Sequence, residues 1–175
     1  KILAIGNSFS MDAMEYLYGI LKDAGYNNIA LGNLYKGGCS LEQHATIFAA
    51  NSGGYTYYKN TTGVWSNTTS YAPYGALADE EWDYVSVQQV SGQSGNYASY
   101  AASLPDLLAY LRAHLPAKTE IVLHQTWAYA SDSKHKDFVH YHHDQQEMFR
   151  AIVDANKRVS KAYKLKRVVP SGVAV

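Results

Sequence analysis

Five short apolar segments alternate with helical segments along the chain, and this alternation limits the fold more than any other feature of the sequence. The apolar segments lie at residues 1–5, 28–35, 84–89, 119–127 and 167–172. Apolar residues at helical spacing predict helices between them, at residues 11–25, 41–50, 97–114 and about 142–163. Strands that alternate with helices form parallel sheets covered on both faces. We therefore expect an α/β fold with a five-stranded parallel sheet.

Residues 51–75 interrupt the alternation and are rich in Gly, Asn, Thr and Tyr. Two stretches with strand character, 55–59 and 64–66, flank the sequence Asn-Thr-Thr-Gly, which predicts a β-ribbon. A structureless loop of this length is unusual inside a domain. We therefore expect an insertion within a single domain that spans residues 1–175.

The composition excludes several classes of function. The 15 Lys and Arg residues balance the 15 Asp and Glu residues, so no basic surface is expected to bind nucleic acid or an anionic membrane. No apolar run is long enough to span a bilayer. Cys39 is the single cysteine, which excludes an intrachain disulfide and a cysteine-based metal site. We predict no cofactor, and the oligomeric state stays open.

Ligands of parallel α/β sheets bind beyond the carboxyl ends of the strands, so the residues that follow each strand are the candidates for a site. Those residues are Gly6-Asn7-Ser8, Gly37-Gly38-Cys39, Gln88-Gln89-Val90-Ser91 and His124-Gln125-Thr126-Trp127. Acyl transfer by a serine requires a positioned hydroxyl, a base and donors for the oxyanion. The first three strand ends carry residue types suited to two of these tasks.

Ser8 follows the first strand at the start of a helix, where it is either a nucleophile or part of a helix cap, with Ser10 or Asp12 as the alternative cap. Gly38 can offer an unhindered backbone N–H, or simply form a turn. Gln89 or Gln88 can offer a side-chain amide, and only one of the two faces the site because neighbouring strand residues point to opposite faces. Ser91 is a further candidate.

The segment "ILAIGNSFS" resembles the first motif of the SGNH, or GDSL-like, hydrolases, with Gly6-Asn7-Ser8 in place of Gly-Asp-Ser. "YKGGCSLEQH" is similar to the second motif, for which Gly38 is the best match. "WDYVSVQQVSGQSG" stands where the third motif, Gly-x-Asn-Asp, is usual, so Gln89 would replace its Asn. The whole pattern is most similar to a branch of the family that is common in gut bacteria.

The resemblance implies a flavodoxin-like three-layer α/β/α sandwich and an ester hydrolase that often deacetylates sugars. It assigns Ser8 as the nucleophile, and the Ser8 N–H, Gly38 and the Gln89 amide as the oxyanion hole. The family base is a histidine of an Asp-x-x-His motif after the fifth strand, and no such motif follows residue 172. We therefore expect a chain that is truncated at its carboxyl end, with its base beyond residue 175.

An Asp-x-x-His sequence does occur after the fourth strand, at Asp132 and His135, and it is the second candidate for the base. His124, Gln125 and Trp127 lie at the predicted active edge and are candidates to line a substrate cleft. The aromatic-rich insertion adds Tyr57 and Trp65. The alternatives are a hydrogen-bonded histidine at a strand end and ordinary surface aromatics.

Other side chains carry weaker signals for a site. His140, His143 and Asp144 have the spacing of a metal site, but a solvated loop explains them more simply, and we predict no metal. Cys39 is expected to be a small half-buried residue, and His44 is expected on a helix surface.

The leading hypothesis is a serine esterase that removes an acyl group, such as O-acetyl, from a small-molecule or glycan ester. The alternative is a non-catalytic carbohydrate-binding module, favoured by the motif departures and the missing base. A nucleotide- or phosphate-binding protein is a third hypothesis, although residues 6–10 lack the Gly-rich run and the lysine of a P-loop. A glycan substrate and a start at Lys1 rather than Met favour a periplasmic or secreted protein.

Overall fold

A computed structural model describes residues 1–174 of the chain. Its strands are β1 (Ile2–Gly6), β2 (Leu31–Tyr35), β3 (Tyr55–Asn60), β4 (Ser66–Tyr71), β5 (Tyr84–Val87), β6 (Glu120–His124) and β7 (Val168–Val169). Its helices are α1 (Ser8–Met14), α2 (Leu17–Asp23), α3 (Leu41–Ala50), α4 (Pro73–Ala78), α5 (Tyr97–His114) and α6 (Gln145–Tyr163). Short 3-10 turns follow β5 at Ser91–Gln93, precede α6 at Lys136–Tyr141, and follow β7 at Ser171–Val173.

The predicted parallel strands form one sheet with the central order β2-β1-β5-β6-β7. The expectation of five strands is wrong in one respect, because the sheet has seven. The inserted ribbon is not a separate flap: β3 pairs antiparallel with β2, and β4 extends the edge. The free edge of β2 supplies unpaired backbone groups, and the ribbon satisfies them.

Side chains alternate between the two faces of the sheet and divide the core into two layers. Leu3 and Ile5 of β1 are buried under α3, α4, α5 and α6. Ala4 faces the opposite layer, where it packs with Met14 of α1 and with Leu17 and other apolar side chains around α2. These layers make the three-layer α/β/α sandwich that the alternation predicts. Each fully buried leucine contributes about 1.5–3 kcal/mol to the stability of the fold.

The first predicted helix differs most from its expected form, because residues 11–25 fall in two helices and the first one starts earlier. Asn7 caps α1: its Oδ1 accepts the Phe9 N–H at 3.2 Å. Ser10 and Asp12 lie inside the helix instead of capping it. By contrast, α5 spans the predicted residues and continues through Pro105.

The described residues contain no helix that combines the length and the apolar character needed to cross a membrane.

Candidate active site

Ser8 lies where β1 passes into α1, at the carboxyl edge of the central strand of the sheet. The preceding residue, Asn7, is buried, whereas Ser8 is exposed at the mouth of a cleft. Among residues 1–174, the Ser8 hydroxyl makes no hydrogen bond to another residue. The buried Asn7 therefore fixes the backbone next to Ser8, while the Ser8 hydroxyl stays exposed and unbonded.

The side chain of Asn7 fixes the position of this loop. Its Nδ2 donates to the Cys39 carbonyl oxygen at 3.1 Å, and its Oδ1 accepts from Gln88 Nε2 at 2.8 Å. The Asn7 side chain thus joins the loop that carries Ser8 to the loop that carries Gly38. Because Ser8 follows Asn7 and Gly38 precedes Cys39, the two candidate residues lie on either side of this hydrogen bond.

Two backbone N–H groups at the carboxyl edge of the sheet are free to donate hydrogen bonds to a negatively charged oxygen. Within residues 1–174, neither the Ser8 N–H nor the Gly38 N–H donates a hydrogen bond. Gly38 is exposed with φ at +61°, and a Cβ atom there would meet nothing within 4 Å. The backbone conformation, rather than lack of space, therefore favours glycine at this position. A free N–H group on each of the two loops that Asn7 joins is the kind of donor that an oxyanion hole requires.

The choice between the two glutamines is corrected by their contacts. Gln89 Oε1 accepts from the Leu41 N–H and the Val90 N–H, both at 2.8 Å, and its Nε2 donates to Ser99 Oγ at 3.0 Å. Its amide therefore holds the start of α3 against α5. Gln88, one residue earlier in the segment that follows β5, carries the amide that reaches Asn7.

A cleft of about 450 Å³ opens beside Ser8. Its lining residues are Ser8, Met11, Asp12, Met14, Glu15, Asn33, Tyr58 and Trp65. The first helix supplies one wall, and the inserted ribbon supplies the aromatic wall. Ser10 lies beneath, with its Oγ 2.9 Å from Asn33 Oδ1. The cleft therefore combines two methionines and two aromatic rings with two carboxylates at its rim.

The predicted substrate residues fall into two groups. Trp65 lines the cleft, as expected of a ligand contact, and Trp127 packs edge-to-face on Phe9 with ring centroids 4.4 Å apart. Tyr57 points the other way: it is buried and its hydroxyl donates to Asp79 at 2.7 Å. The neighbouring Tyr58 takes the place in the cleft expected of Tyr57, because successive strand residues face opposite sides.

His124 and Gln125 are internal rather than cleft-lining. His124 is 4% exposed and bonds to Gln88 Oε1 at 3.2 Å and to Ser171 Oγ at 3.0 Å. Burial lowers the pKa of His124 to about 4, so it is neutral at physiological pH. Gln125 is buried beneath the segment that follows β7.

The candidate base in this chain has a local structural role. His135 Nδ1 accepts the Asp137 N–H at 3.2 Å, and its ring stacks on Tyr129 at 4.6 Å. Tyr129 in turn donates to Ser91 Oγ at 2.8 Å, so it links His135, after β6, to Ser91, after β5. Asp132 is exposed in the preceding loop. In the described part of the chain, no histidine hydrogen-bonds to Ser8.

The remaining candidates have structural explanations. Cys39 is buried, which raises the pKa of its thiol to about 11 and makes it a poor nucleophile. His44 is not on the surface: it is buried against the Tyr55 hydroxyl at 2.6 Å, and burial lowers its pKa to about 3. His143 packs against Phe138, and Asp144 caps α6. No group of three or more His, Cys, Asp or Glu residues within residues 1–174 is arranged to hold a metal ion.

Six residues that line the cleft are not among the predicted site residues: Met11, Asp12, Met14, Glu15, Asn33 and Tyr58. Met11 and Met14 lie on α1, three residues apart on one face, and Asn33 lies in the middle of β2. The helical spacing of the methionines from Ser8 is a signal that could have found them. Nothing in the sequence distinguishes Asn33 from an ordinary strand residue.

The geometry agrees with comparisons to known structures. A DUF4886 family protein from Bacteroides uniformis ATCC 8492 is 44% identical and superposes with a TM-score of 0.96, over 99% of this chain and 67% of that one. A candidate SGNH hydrolase from Slackia heliotrinireducens is 20% identical with a TM-score of 0.57, over 92% of this chain and 73% of that one. TesA is 15% identical with a TM-score of 0.56, over 97% and 77% of the two chains.

The last two similarities show that this chain has the fold of the SGNH hydrolases. No curated protein shows significant sequence similarity to the chain. The family described as "Domain of unknown function (DUF4886)" matches residues 1–175, so the chain belongs to that family.

Proposed function

We propose that this protein is a serine esterase of the SGNH type that removes an acyl group, such as O-acetyl, from a carbohydrate. The observation that carries the proposal is the free Ser8 hydroxyl at the mouth of a cleft, with the unpaired N–H groups of Ser8 and Gly38 on loops that Asn7 joins.

The proposed reaction proceeds through an acyl-enzyme. Ser8 Oγ attacks the ester carbonyl carbon and gives up its proton to a base, and the resulting oxyanion accepts hydrogen bonds from the Ser8 and Gly38 N–H groups. The carbon–oxygen bond to the sugar then breaks, and the leaving alkoxide takes a proton as the alcohol. Water attacks the acyl-Ser8 ester and releases the carboxylic acid. By the resemblance to the family, the base is a histidine.

The cleft suits a neutral sugar. The Tyr58 and Trp65 side chains provide flat apolar surfaces with polar edges, which pack well against pyranose rings. Asp12 and Glu15 are exposed at the rim and repel an anionic group. We infer from a glycan substrate of this kind that the protein is periplasmic or secreted, which fractionation of the source bacterium would test.

The rim charges give the substrate proposal its own measurement. A neutral acetylated sugar and a carboxylated analogue with the same scissile ester would be compared on the wild type and on a D12N/E15Q double variant. We expect the variant to improve kcat/KM for the anionic ester only. An equal change for both esters would contradict the assignment of this cleft as the substrate site.

The proposal is tested by labelling with a fluorophosphonate and mapping the adduct by peptide mass spectrometry. We expect an adduct on Ser8, its loss in S8A, and its retention in S91A, which removes the hydroxyl that accepts from Tyr129 after β5. Loss of labelling in a folded H135A variant would identify His135 as the base. A folded full-length wild-type protein that gives no adduct on Ser8 and no turnover of aryl acetates would overturn the proposal.

The second candidate function is carbohydrate binding without catalysis. The observation that favours it is that no histidine in residues 1–174 hydrogen-bonds to Ser8. Glycan binding by the unlabelled, inactive protein, weakened by W65A, would establish this alternative.

A further inference from the structure

A continuous chain of hydrogen bonds runs beneath the carboxyl edge of the sheet, from the loop of Gly38 to the segment after β7. It joins the Cys39 carbonyl, Asn7, Gln88, His124 and Ser171 in that order, at 3.1, 2.8, 3.2 and 3.0 Å. Asn7 and Gln88 are each 1% exposed and His124 is 4% exposed. Ser171 is partly exposed, so the hydrogen-bond network reaches solvent at this residue.

The direction of the chain follows from its first member. A carbonyl oxygen only accepts, so Asn7 donates to Cys39 through Nδ2 and its Oδ1 accepts from Gln88 Nε2. Gln88 Oε1 then faces His124 Nδ1, which must carry the proton. Because burial keeps the imidazole neutral, His124 Nε2 is the acceptor and Ser171 Oγ–H is the donor. Each polar atom in the chain has one compatible role.

Ser171, His124 and Gln88 are hydrogen-bonded in the order of a nucleophile, a base and a group that orients the base. Ser171 is therefore a second candidate nucleophile beside Ser8. Two observations argue against Ser171 as a nucleophile. The lowered pKa of His124 makes it a weak base at neutral pH. The N–H groups that follow Ser171 are already used, since Gly172 donates to the Gln125 carbonyl and Val173 donates to the Pro170 carbonyl. These two N–H groups are therefore unavailable as oxyanion donors to Ser171.

We propose that His124 is a positioning residue for Ser8, acting through Gln88 and Asn7, and that Ser171 holds the imidazole ring in place by donating to its Nε2. In this arrangement His124 orients the Gln88 amide so that Nε2 points at Asn7. Asn7 then keeps its own amide turned towards Cys39, which holds the Ser8 and Gly38 loops at a fixed separation. The inference deepens the proposed function and rests on it, since it assigns a role to His124 only if Ser8 reacts.

The test compares three substitutions in this hydrogen-bond network with matched control substitutions elsewhere in the protein. H124F removes both imidazole hydrogen bonds, H124N keeps a donor at the place of Nδ1, and S171A removes the last link. The controls are H44F, which alters another buried histidine, and S160A, which removes another partly buried, hydrogen-bonded serine hydroxyl. Urea unfolding of each variant establishes that it is folded.

The first readout is the rate of fluorophosphonate labelling of Ser8, together with kcat and KM for an aryl acetate. We expect H124F to lower the labelling rate and kcat by about 100-fold with little change in KM, since small displacements of a reacting group have effects of this size. H124N should recover most of the rate, and the controls should label like the wild type. A folded H124F that labels at the wild-type rate would overturn the inference.

The second readout does not depend on catalysis. Nitrogen-15 NMR of the wild type should show His124 protonated on Nδ1 alone, and the backbone amide signals of Ser8 and Gly38 should shift in H124F and S171A but not in H44F or S160A. Should H124F fail to fold, S171A and H124N carry the same comparison. A proton on Nε2, or unmoved Ser8 and Gly38 signals, would overturn the inference. A full-length wild-type protein without Ser8 labelling overturns the proposed function, whatever these signals show.

Discussion

Asn7 uses both polar atoms of its side chain, and this explains why an amide suits the position better than the aspartate of the related motif. Its oxygen accepts from the Phe9 N–H and from Gln88, while its nitrogen donates to the Cys39 carbonyl. A carboxylate can replace the oxygen but has no hydrogen to donate. Asparagine in place of the aspartate of Gly-Asp-Ser is therefore explained by the Cys39 carbonyl, which accepts a hydrogen bond that only an amide can donate.

We expect N7D to lower the free energy of unfolding by about 1–3 kcal/mol, because a buried carboxylate oxygen would face the Cys39 carbonyl oxygen. Urea denaturation near neutral pH measures the loss. The control is N96D, since Asn96 caps α5 through its oxygen alone and is exposed. Equal stability changes in the two variants would show that the donation to Cys39 contributes nothing.

Gly6 is required by close packing rather than by its backbone angles. A Cβ atom there would lie 2.5 Å from Gln88 Oε1 and 2.7 Å from Ser10 Oγ. We expect G6A to lower the free energy of unfolding by about 1–3 kcal/mol, as overpacking of a filled interior does. The matched control is Gly19 in α2, where an added Cβ meets nothing within 4 Å.

At Gly19 the expected sign is reversed, because alanine favours a helix by about 1 kcal/mol over glycine. Urea unfolding of G6A and G19A, measured side by side, tests both statements. A G6A variant as stable as the wild type would mean that Gln88 and Ser10 can move away without loss.

At the scale of elements, the ribbon of β3 and β4 is held to the sheet by more than backbone pairing. Tyr57 donates to Asp79 at 2.7 Å, and Lys59 bridges Asp79 at 2.7 Å and Glu80 at 2.9 Å. These groups are partly buried at the end of α4. They anchor the ribbon from the face opposite to the cleft.

The two neighbouring tyrosines of β3 should therefore respond differently to the loss of a hydroxyl. We expect Y57F to lower the free energy of unfolding by about 1–2 kcal/mol, since it removes a hydrogen bond to a carboxylate. Y58F should leave stability unchanged because Tyr58 lies in the cleft. Thermal unfolding of both variants is the measurement, and equal losses would contradict the assignment of the two faces.

The sequence predicts most helices and strands because their apolar residues recur at a regular spacing. It predicts the wrong side chain where two neighbouring residues point in opposite directions. The α5 boundaries and the five parallel strands follow from periodicity alone. Tyr58 rather than Tyr57 faces the cleft because of its place in the strand alternation, which reverses if the strand is shifted by one residue. Gln88 and Gln89 follow the end of β5, where the alternation no longer decides which side chain faces the site. Contacts between distant segments, such as Asn7 with Cys39 or His124 with Ser171, have no local signal at all.

Two histidines are buried in neutral form in the folded molecule, and this makes the stability of the whole chain depend on pH. Burial lowers the pKa of His124 from 6.5 to about 4 and that of His44 from 6.5 to about 3. Between these values and 6.5 the unfolded chain binds more protons than the folded one. Their contribution to stability is therefore complete above pH 6.5 and is lost as the pH falls towards 4.

We expect the free energy of unfolding to decrease between about pH 6.5 and pH 4, by on the order of 3 kcal/mol for His124 alone. H124N should flatten this dependence, because asparagine does not bind the proton. The exposed His140 provides the control, and H140N should keep the wild-type slope. Urea unfolding across this pH range is the measurement, and parallel curves for H124N and the wild type would contradict the prediction.

The ribbon also covers the edge of β2, which would otherwise present an unpaired strand to other molecules. β4 is short, largely exposed and built from Ser, Asn and Thr before it ends at Tyr71. The outer edge of the sheet therefore offers few apolar side chains that would favour pairing with another molecule. The same hairpin carries Tyr58 and Trp65 into the cleft. One insertion thus covers the edge of β2 and lines the cleft, so we expect exchange of its tip to alter ligand selectivity and to leave the pairing of the parallel strands intact.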